Sequence, residues 1–325
     1  MLRRRIDATR TRRRGRAQTG TSGFIRRAPR SVLRIGCFLV ALSFNLSLVN
    51  AREVSYSIFK NIQYGFTLRN RTNQILKGAE FWTYAPVSLT SSQKCFQLEV
   101  SHPYQLITDD LGNQILCFRF ENLHPYAVTP ITISASLGLS NTPRPVAINS
   151  MHPFLVPERY IESDHPEIRE FAKEFESATA RKTAEKIFRW VSKNISYAGY
   201  LRDSRGALYA LRSRRGDCTE YMCLFAALCR ANGIPARGIG GYVCRESCIL
   251  EPRSYHNWAE FYEEGGWRIS DPQRNVFTEN PSHYIAMRII GESPRNPMGE
   301  MNRFRSTGDG LEVEMMAPRS FAGRQ

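Results

Sequence analysis

The chain has 325 residues, 42% of them hydrophobic, with 22 glycines and 17 prolines, which is ordinary globular material long enough for two domains. The formal net charge of +15 invites a polyanionic partner, but residues 1–34 hold twelve arginines against one acid, Asp7, and so carry +11 of it. From Ile35 onward 33 basic side chains face 29 acidic ones, a balance that gives the folded part no phosphate-binding footprint and argues against nucleic acid as a partner.

Residues 1–51 read as an Arg-rich leader. The apolar run IGCFLVALSFNLSLV, from Ile35 to Val49, is interrupted by Ser43, Asn45 and Ser47 and is too short and polar for a comfortable membrane span. A basic start, an apolar middle and a small-x-small ending at Val49 and Ala51 match an export signal cleaved after Ala51; an uncleaved membrane anchor and an organelle transit peptide are the competing readings. The expected location is periplasmic or secreted, or membrane-anchored facing the periplasm if the leader stays on. Export permits disulfides, and Cys95 with Cys117 and Cys244 with Cys248 are the neighbouring couples, leaving Cys218, Cys223 and Cys229 free; the alternative is that all are reduced.

Residues 52–150 alternate in short runs, YSIFKNIQYGFTLRN, FQLEV, ILCFRFEN and ITISASL, separated by turn-rich pieces such as DDLGN, the pattern of an antiparallel β-sandwich. No catalytic constellation lies there; His102 and His124 read as exposed loop residues beside prolines. A Pro-rich connector follows, and in residues 155–317 the period becomes helical. Ile168, Phe171, Ala172 and Phe175 share one face, as do Ala184, Ile187, Phe188, Val191 and Ile195. The stretch SYAGYLRDSRGALYAL reads as a loop, strand-like runs extend to about Ile290, LEVEM is a last strand, and residues 318–325 are a polar tail.

RRGDCTEYMCLFAALCRANGIPARGIGGY, Arg214 to Tyr242, carries the chemistry. Residues 218–231 form a helix apolar nearly all round and therefore central, stopped by Gly233 and Pro235. Cys218 stands at its entrance, where free N–H groups and the dipole's positive pole converge and are expected to lower a thiol's pKa. Acids at Asp217 and Glu220 suit a helix start without any chemistry. Downstream, HNWAEFY and WRIS alternate as strands around EEGG, a hairpin signal, and loops of two or four residues set His256 diagonal to or opposite Asp271 on one face. A hairpin docked at the helix entrance would give Cys218 a base, His256, whose tautomer Asp271 fixes. Metal is disfavoured: Cys218 and Cys229 stand about 16 Å apart on a helix and Cys223 points elsewhere, which no tetrahedral site tolerates. No cofactor is expected.

GDCTEYMCLFAALCRANGIPARGIGGY, HNWAEFY and GWRISDP, three blocks in order and spacing, closely resemble the bacterial transglutaminase-like domain, a branch of the papain-like cysteine-enzyme superfamily. The resemblance covers about Pro157 to Met315. It implies an α+β fold, a papain-like/transglutaminase-like core preceded by the antiparallel β-sandwich domain, with Cys218 as nucleophile, His256 as general base and then acid, and Asp271 as orienter. Papain has Asn at the third position, where the transglutaminase group has Asp, as here. Arg237, Gly241 and Trp258 are by the same resemblance structural or pocket residues. Animal transglutaminases place a Trp upstream of the nucleophile; none lies between Trp190 and Cys218, so Tyr197, Tyr200 and Trp258 are the substrate or oxyanion candidates. The expectation is an exported thiol enzyme that forms a thioester on a protein or peptide amide, a peptidase or amidase in preference to a transamidase. The alternative from another class is a non-catalytic cell-envelope scaffold whose sandwich holds a partner.

Overall fold

A strand with one buried face needs apolar side chains at every second position, and β1, Ile58–Asn70, has them: Ile62, Tyr64, Phe66 and Leu68 are buried in alternation. The computed structural model describes residues 56–146, 150–299 and 301–317, so the leader, its cleavage point and the tail at 318–325 lie outside the described residues. After β1 come β2 (Leu76–Ala85), β3 (Gln93–Val100), β4 (Gln105–Thr108), β5 (Gln114–Leu123) and β6 (Val128–Leu139). Buried residues of β1 and β6 meet Phe81 and Ala85 of β2 and Leu116 and Phe118 of β5 in one apolar cluster, which is the interior of a sandwich.

Next along the chain are α1 (Pro166–Ala172), α2 (Ala180–Asn194), β7 (Ser196–Tyr197), α3 (Gly206–Ser213), β8 (Arg215–Gly216), α4 (Cys218–Ala231) and β9 (Ala236–Val243). They are followed by β10 (Cys248–Ile249), β11 (Tyr255–Glu263), β12 (Gly266–Asp271), β13 (Val276–Phe277), β14 (Tyr284–Ile290), β15 (Phe304–Thr307) and β16 (Leu311–Met315). Antiparallel pairing in the order β13–β12–β11–β9–β14 makes a sheet whose one face carries α4, through Phe225 against Ala259 and Phe261. The stripes of α1 and α2 face α4, so every residue from Thr219 to Arg230 is buried, as a helix without a polar face must be. The whole is an α+β fold with a sandwich ahead of the helix-bearing core.

Two segments depart from the sequence reading. Residues 206–213, expected as loop, are helical: Ala207, Ala210 and Leu211 are buried at i, i+3, i+4 spacing. Its cap comes from Glu162, whose Oε2 accepts from the Ala207 N–H at 2.8 Å, and a carboxylate that far upstream leaves no local motif. The last strand, LEVEM, was grouped with the helical half but pairs with β1, from Phe66↔Met315 to Asn70↔Leu311, and β15 pairs with β2. β1 is longer than its other neighbours on that side, and β16 covers the exposed edge.

The two halves are joined through β14 and β9. Tyr242, Ile285 and Met287 belong to the sandwich's apolar cluster. The main chain of β14 is read by two side-chain amides from the sandwich: Gln93 exchanges hydrogen bonds with Ala286 N–H and C=O, and Asn113 does so with Ile289, all at 2.6–2.9 Å. A strand edge that would otherwise carry unpaired donors and acceptors is thereby satisfied.

Candidate active site

α4 begins at Cys218 because Asp217 ends the preceding extended chain and caps the helix. Its Oδ1 accepts from Thr219 N–H at 2.8 Å, while Glu220 Oε2 accepts from Asp217 N–H at 3.0 Å, closing a capping box. The same carboxylates tie down the loop before α3, Asp217 accepting from Leu201 N–H and Glu220 from Arg205 N–H. Gly216 is required, since a Cβ there would lie 2.3 Å from Glu220 Cβ. Both acids are therefore structural, and Cys218 is fixed at the first helical position.

β11 and β12 are joined by Glu264-Gly265, both at positive φ, with Glu263 opposite Gly266. That two-residue loop selects the diagonal arrangement of His256 and Asp271. His256 Nε2 lies 2.7 Å from Asp271 Oδ2, and both side chains are buried, at 4% and 1% exposure. An ionised carboxylate only accepts, so Nε2 carries the hydrogen and Nδ1 keeps its lone pair. The Tyr284 hydroxyl donates to the same Oδ2 at 2.9 Å and the Arg274 N–H to Oδ1 at 3.2 Å. Trp258 lies alongside the imidazole, ring centroids 6.3 Å apart, and meets Tyr284 edge-on.

The ladder between β11 and β12 ends at Ala259, which leaves the main chain of residues 256–258 open on that side. There Asn257 Nδ2 donates to Thr219 Oγ1 at 3.0 Å. The residue after the histidine thus holds the residue after the thiol, fastening the hairpin to the helix entrance.

One electrostatic expectation is reversed. Burial first, then the charge of Asp217, push the Cys218 thiol up to about 11; the Asn257 and Thr219 hydrogen bonds pull the other way and lose. The helix pole that was expected to acidify the thiol is already neutralised by two carboxylates of the capping box. Cys218 rests as a thiol and needs a base to ionise.

Cys218 opens into a cleft of about 1290 Å³ between the helix entrance and the sandwich, walled by Tyr84, Tyr255, Asn257, Arg288 and Arg303 among others. Of the three other candidates, Tyr200 stands on its rim, 74% exposed. Tyr197 is 62% exposed on β7 and does not line it, and Trp258, buried at 1%, forms the wall behind His256. Arg237 is structural, in a buried ion pair with Glu260 at 2.7 Å and over the Trp267 ring. A Cβ at Gly241 would lie 2.0 Å from the Ile285 carbonyl, so Gly241 is what lets β14 close on β9. Tyr284, Asn257, Tyr255, Arg288 and Arg303 went unremarked in the sequence because each acts from a strand or loop with no motif of its own.

Among the sulfurs, Cys244 and Cys248 lie 2.7 Å apart beside Lys60, whereas Cys95 and Cys117 sit in opposite sheets and different apolar clusters, so only the first couple is brought together. Among the described residues no group of three His, Cys, Asp or Glu is arranged to hold a metal, and no helix is long and apolar enough to cross a membrane.

Tyr284→Phe offers a local check. It deletes one hydrogen bond to Asp271 while keeping the ring against Trp258, so kcat/KM is expected to fall about threefold to tenfold, the worth of a bond of about 1 kcal/mol. An unchanged kcat/KM would show that Asp271 needs no help in holding the imidazole.

The transglutaminase-like superfamily matches residues 169–272, which include α4, β11 and β12. A protein-glutamine gamma-glutamyltransferase from Pseudomonas aeruginosa is 31% identical over 88 residues, which are 25% of this chain and 13% of that protein, so the similarity spans about an eighth of the relative's length. The crystal structure of a candidate cysteine protease from Cytophaga hutchinsonii superposes with a TM-score of 0.52 at 20% identity, over 80% of this chain and 93% of that one.

Proposed function

We propose that this chain is a thiol enzyme acting on amide bonds, a peptidase or amidase working through a thioester, with Cys218 at the entrance of α4 as nucleophile and the His256–Asp271 pair as its base and orienter. The observation that carries the reading is the Asp271–His256 pair, 2.7 Å apart and buried, with the next residue, Asn257, bound to Thr219, the residue after Cys218, beside a substrate-sized cleft that Cys218 lines. Cys218 Sγ attacks the carbonyl carbon as its proton passes to His256 Nδ1. The tetrahedral oxyanion collapses, the C–N bond breaks, and the leaving amine takes the proton from the imidazolium. Water then attacks the thioester, giving a proton to His256 that returns to the departing sulfur. Asp271 stabilises each imidazolium without being protonated, and Tyr284 and the Arg274 N–H keep it in place. The Cys218 N–H, at the first helical position, has no intrahelical acceptor and is one donor for the oxyanion.

If an amine replaces water, the same thioester gives transamidation, a reading favoured by the name of the Pseudomonas aeruginosa relative. Hydrolysis is preferred because water needs no acceptor site of its own. The leader supports a periplasmic or secreted site of action, with a peptide or protein as substrate and the sandwich as the surface for an envelope partner. Incubating the protein with a peptide library and hydroxylamine, and resolving products by mass spectrometry, separates the outcomes. Acids and free amines are expected, with hydroxamates as trapped intermediates. Peptide-to-lysine isopeptides at the expense of acids would establish the transamidase instead, and no hydroxamate under any condition would overturn thioester chemistry.

A further inference from the structure

The cleft that receives Cys218 also holds two arginines with no carboxylate partner. Arg288, on β14, is 2% exposed, and no acid of the described residues lies within ion-pair distance of it. Its guanidinium makes one hydrogen bond, from Nη1 to the Asn302 carbonyl at 2.7 Å, and its buried Nε has no partner. Arg303 is half-buried; its Nη1 donates to the Pro252 carbonyl at 3.0 Å, and it too lacks an acid. Charges taken out of water are costly unless paired, so a buried guanidinium facing a cleft without a counter-ion is a place prepared for one.

The backbone is shaped to aim it. The β9–β14 register slips between Ala286 and Arg288, so Met287 is an extra residue and Arg288 falls opposite Gly240, the way a bulge re-aims a side chain. Gly240 in turn makes room: a Cβ there would lie 2.1 Å from the Tyr255 hydroxyl. The Tyr255 ring lies under Arg303, Cζ 4.6 Å from its centroid, and the Tyr84 ring lies 5.1 Å from Arg288 Cζ. Tyr255, next in sequence to His256, lines the same cleft as Arg288, Arg303 and Cys218. The acids of the cleft are elsewhere engaged or exposed: Asp217 caps α4, Asp203 is in the exposed loop, and Glu314 is exposed and feels Arg71.

We propose that Arg288 and Arg303 form a carboxylate subsite, so that the substrate is an amide with a free carboxylate close to the bond attacked, either a chain-terminal carboxylate or an acidic side chain. The inference rests on Cys218 being the nucleophile. Chloroacetyl affinity labels test it without turnover: the thiolate displaces chloride, its proton having passed to His256, and intact-mass spectrometry with peptide mapping reads alkylation of Cys218. Chloroacetyl-alanine against its carboxamide probes the terminal carboxylate, and chloroacetyl-glutamic acid amide against its glutamine analogue probes the side chain. All rates are normalised to iodoacetamide on the same protein.

In at least one pair the acid is expected to react about tenfold or more faster than the amide, and saturably, as a charge-assisted bond allows. The arm that shows the preference names the source of the carboxylate. Arg288→Gln should bring that ratio toward one; if that variant does not fold, Arg303→Gln is expected to lower it. Ratios of one in both arms of the wild type, with Cys218 reacting normally with iodoacetamide, would overturn the subsite. If iodoacetamide does not single out Cys218, the nucleophile assignment falls first and the subsite with it.

Discussion

Cys218→Ala is expected to lower turnover by about 10⁴-fold or more, the loss seen when a covalent nucleophile is deleted, and to leave the protein folded. The sulfur sits at a helix entrance and faces a cleft rather than the packed core, so its removal should cost about 1 kcal/mol of stability or less at neutral pH. A finer signature appears at high pH. The folded thiol ionises at about 11 against 9.0 for an unperturbed one, so below about pH 8 it is essentially neutral in both states and exerts almost no pH-linked effect. Between pH 9 and 11 the unfolded chain ionises first, and the wild type loses stability that the alanine variant keeps, about 1 kcal/mol by pH 10. Urea midpoints at pH 8 and pH 10 read this directly: the difference between the two proteins should move in favour of Cys218→Ala. A difference that stays constant would mean that the thiol is not held neutral by burial, and residual activity above about one part in a thousand would remove Cys218 from the mechanism.

The sequence announced the central helix and the hairpin because in both the local signals agree. Asp217 and Glu220 are a capping box written three residues apart, every position from Tyr221 to Cys229 suits burial, and Gly233 with Pro235 stops the helix. Likewise EEGG between alternating runs marks the hairpin and puts His256 and Asp271 on one face, while the choice of the diagonal over the opposite arrangement is made by the two-residue loop seen in the structure. What escaped depends on partners distant in the chain. α3 owes its cap to Glu162, β16 owes its place to the unpaired edge of β1, and Arg288 owes its direction to a bulge that only the pairing with β9 reveals.

The thiol's basicity was missed for a different reason. Position in a helix can be read from a pattern, but whether the pole is still available depends on which side chains occupy it and how far water is excluded. Here the residues that mark the helix start most clearly are those that cancel its field, so the better the capping signal, the weaker the inference to an acidic thiol. The arrangement shifts the burden of activation from the helix to the imidazole.

That shift makes His256→Ala the most discriminating substitution. If a helix pole made the thiolate, deleting the imidazole would slow catalysis through lost proton transfer but leave Cys218 nearly as reactive toward a small alkylating agent. With the thiol pushed up to about 11 by burial and Asp217, the opposite is expected: iodoacetamide should label Cys218 at pH 7 about 100-fold more slowly in His256→Ala than in the wild type. The variant's rate should then climb with pH, about tenfold per unit, with no plateau below pH 10, while kcat falls by 10²–10⁴-fold. Asp271 retains the Tyr284 hydroxyl and the Arg274 N–H as donors, so the variant is expected to fold, and rates are compared below its melting temperature. Equal labelling at pH 7 in the two proteins would return the credit to the helix entrance and leave His256 a role in proton delivery alone. A plateau near pH 7 in the variant would show that another group, and not burial, governs the sulfur.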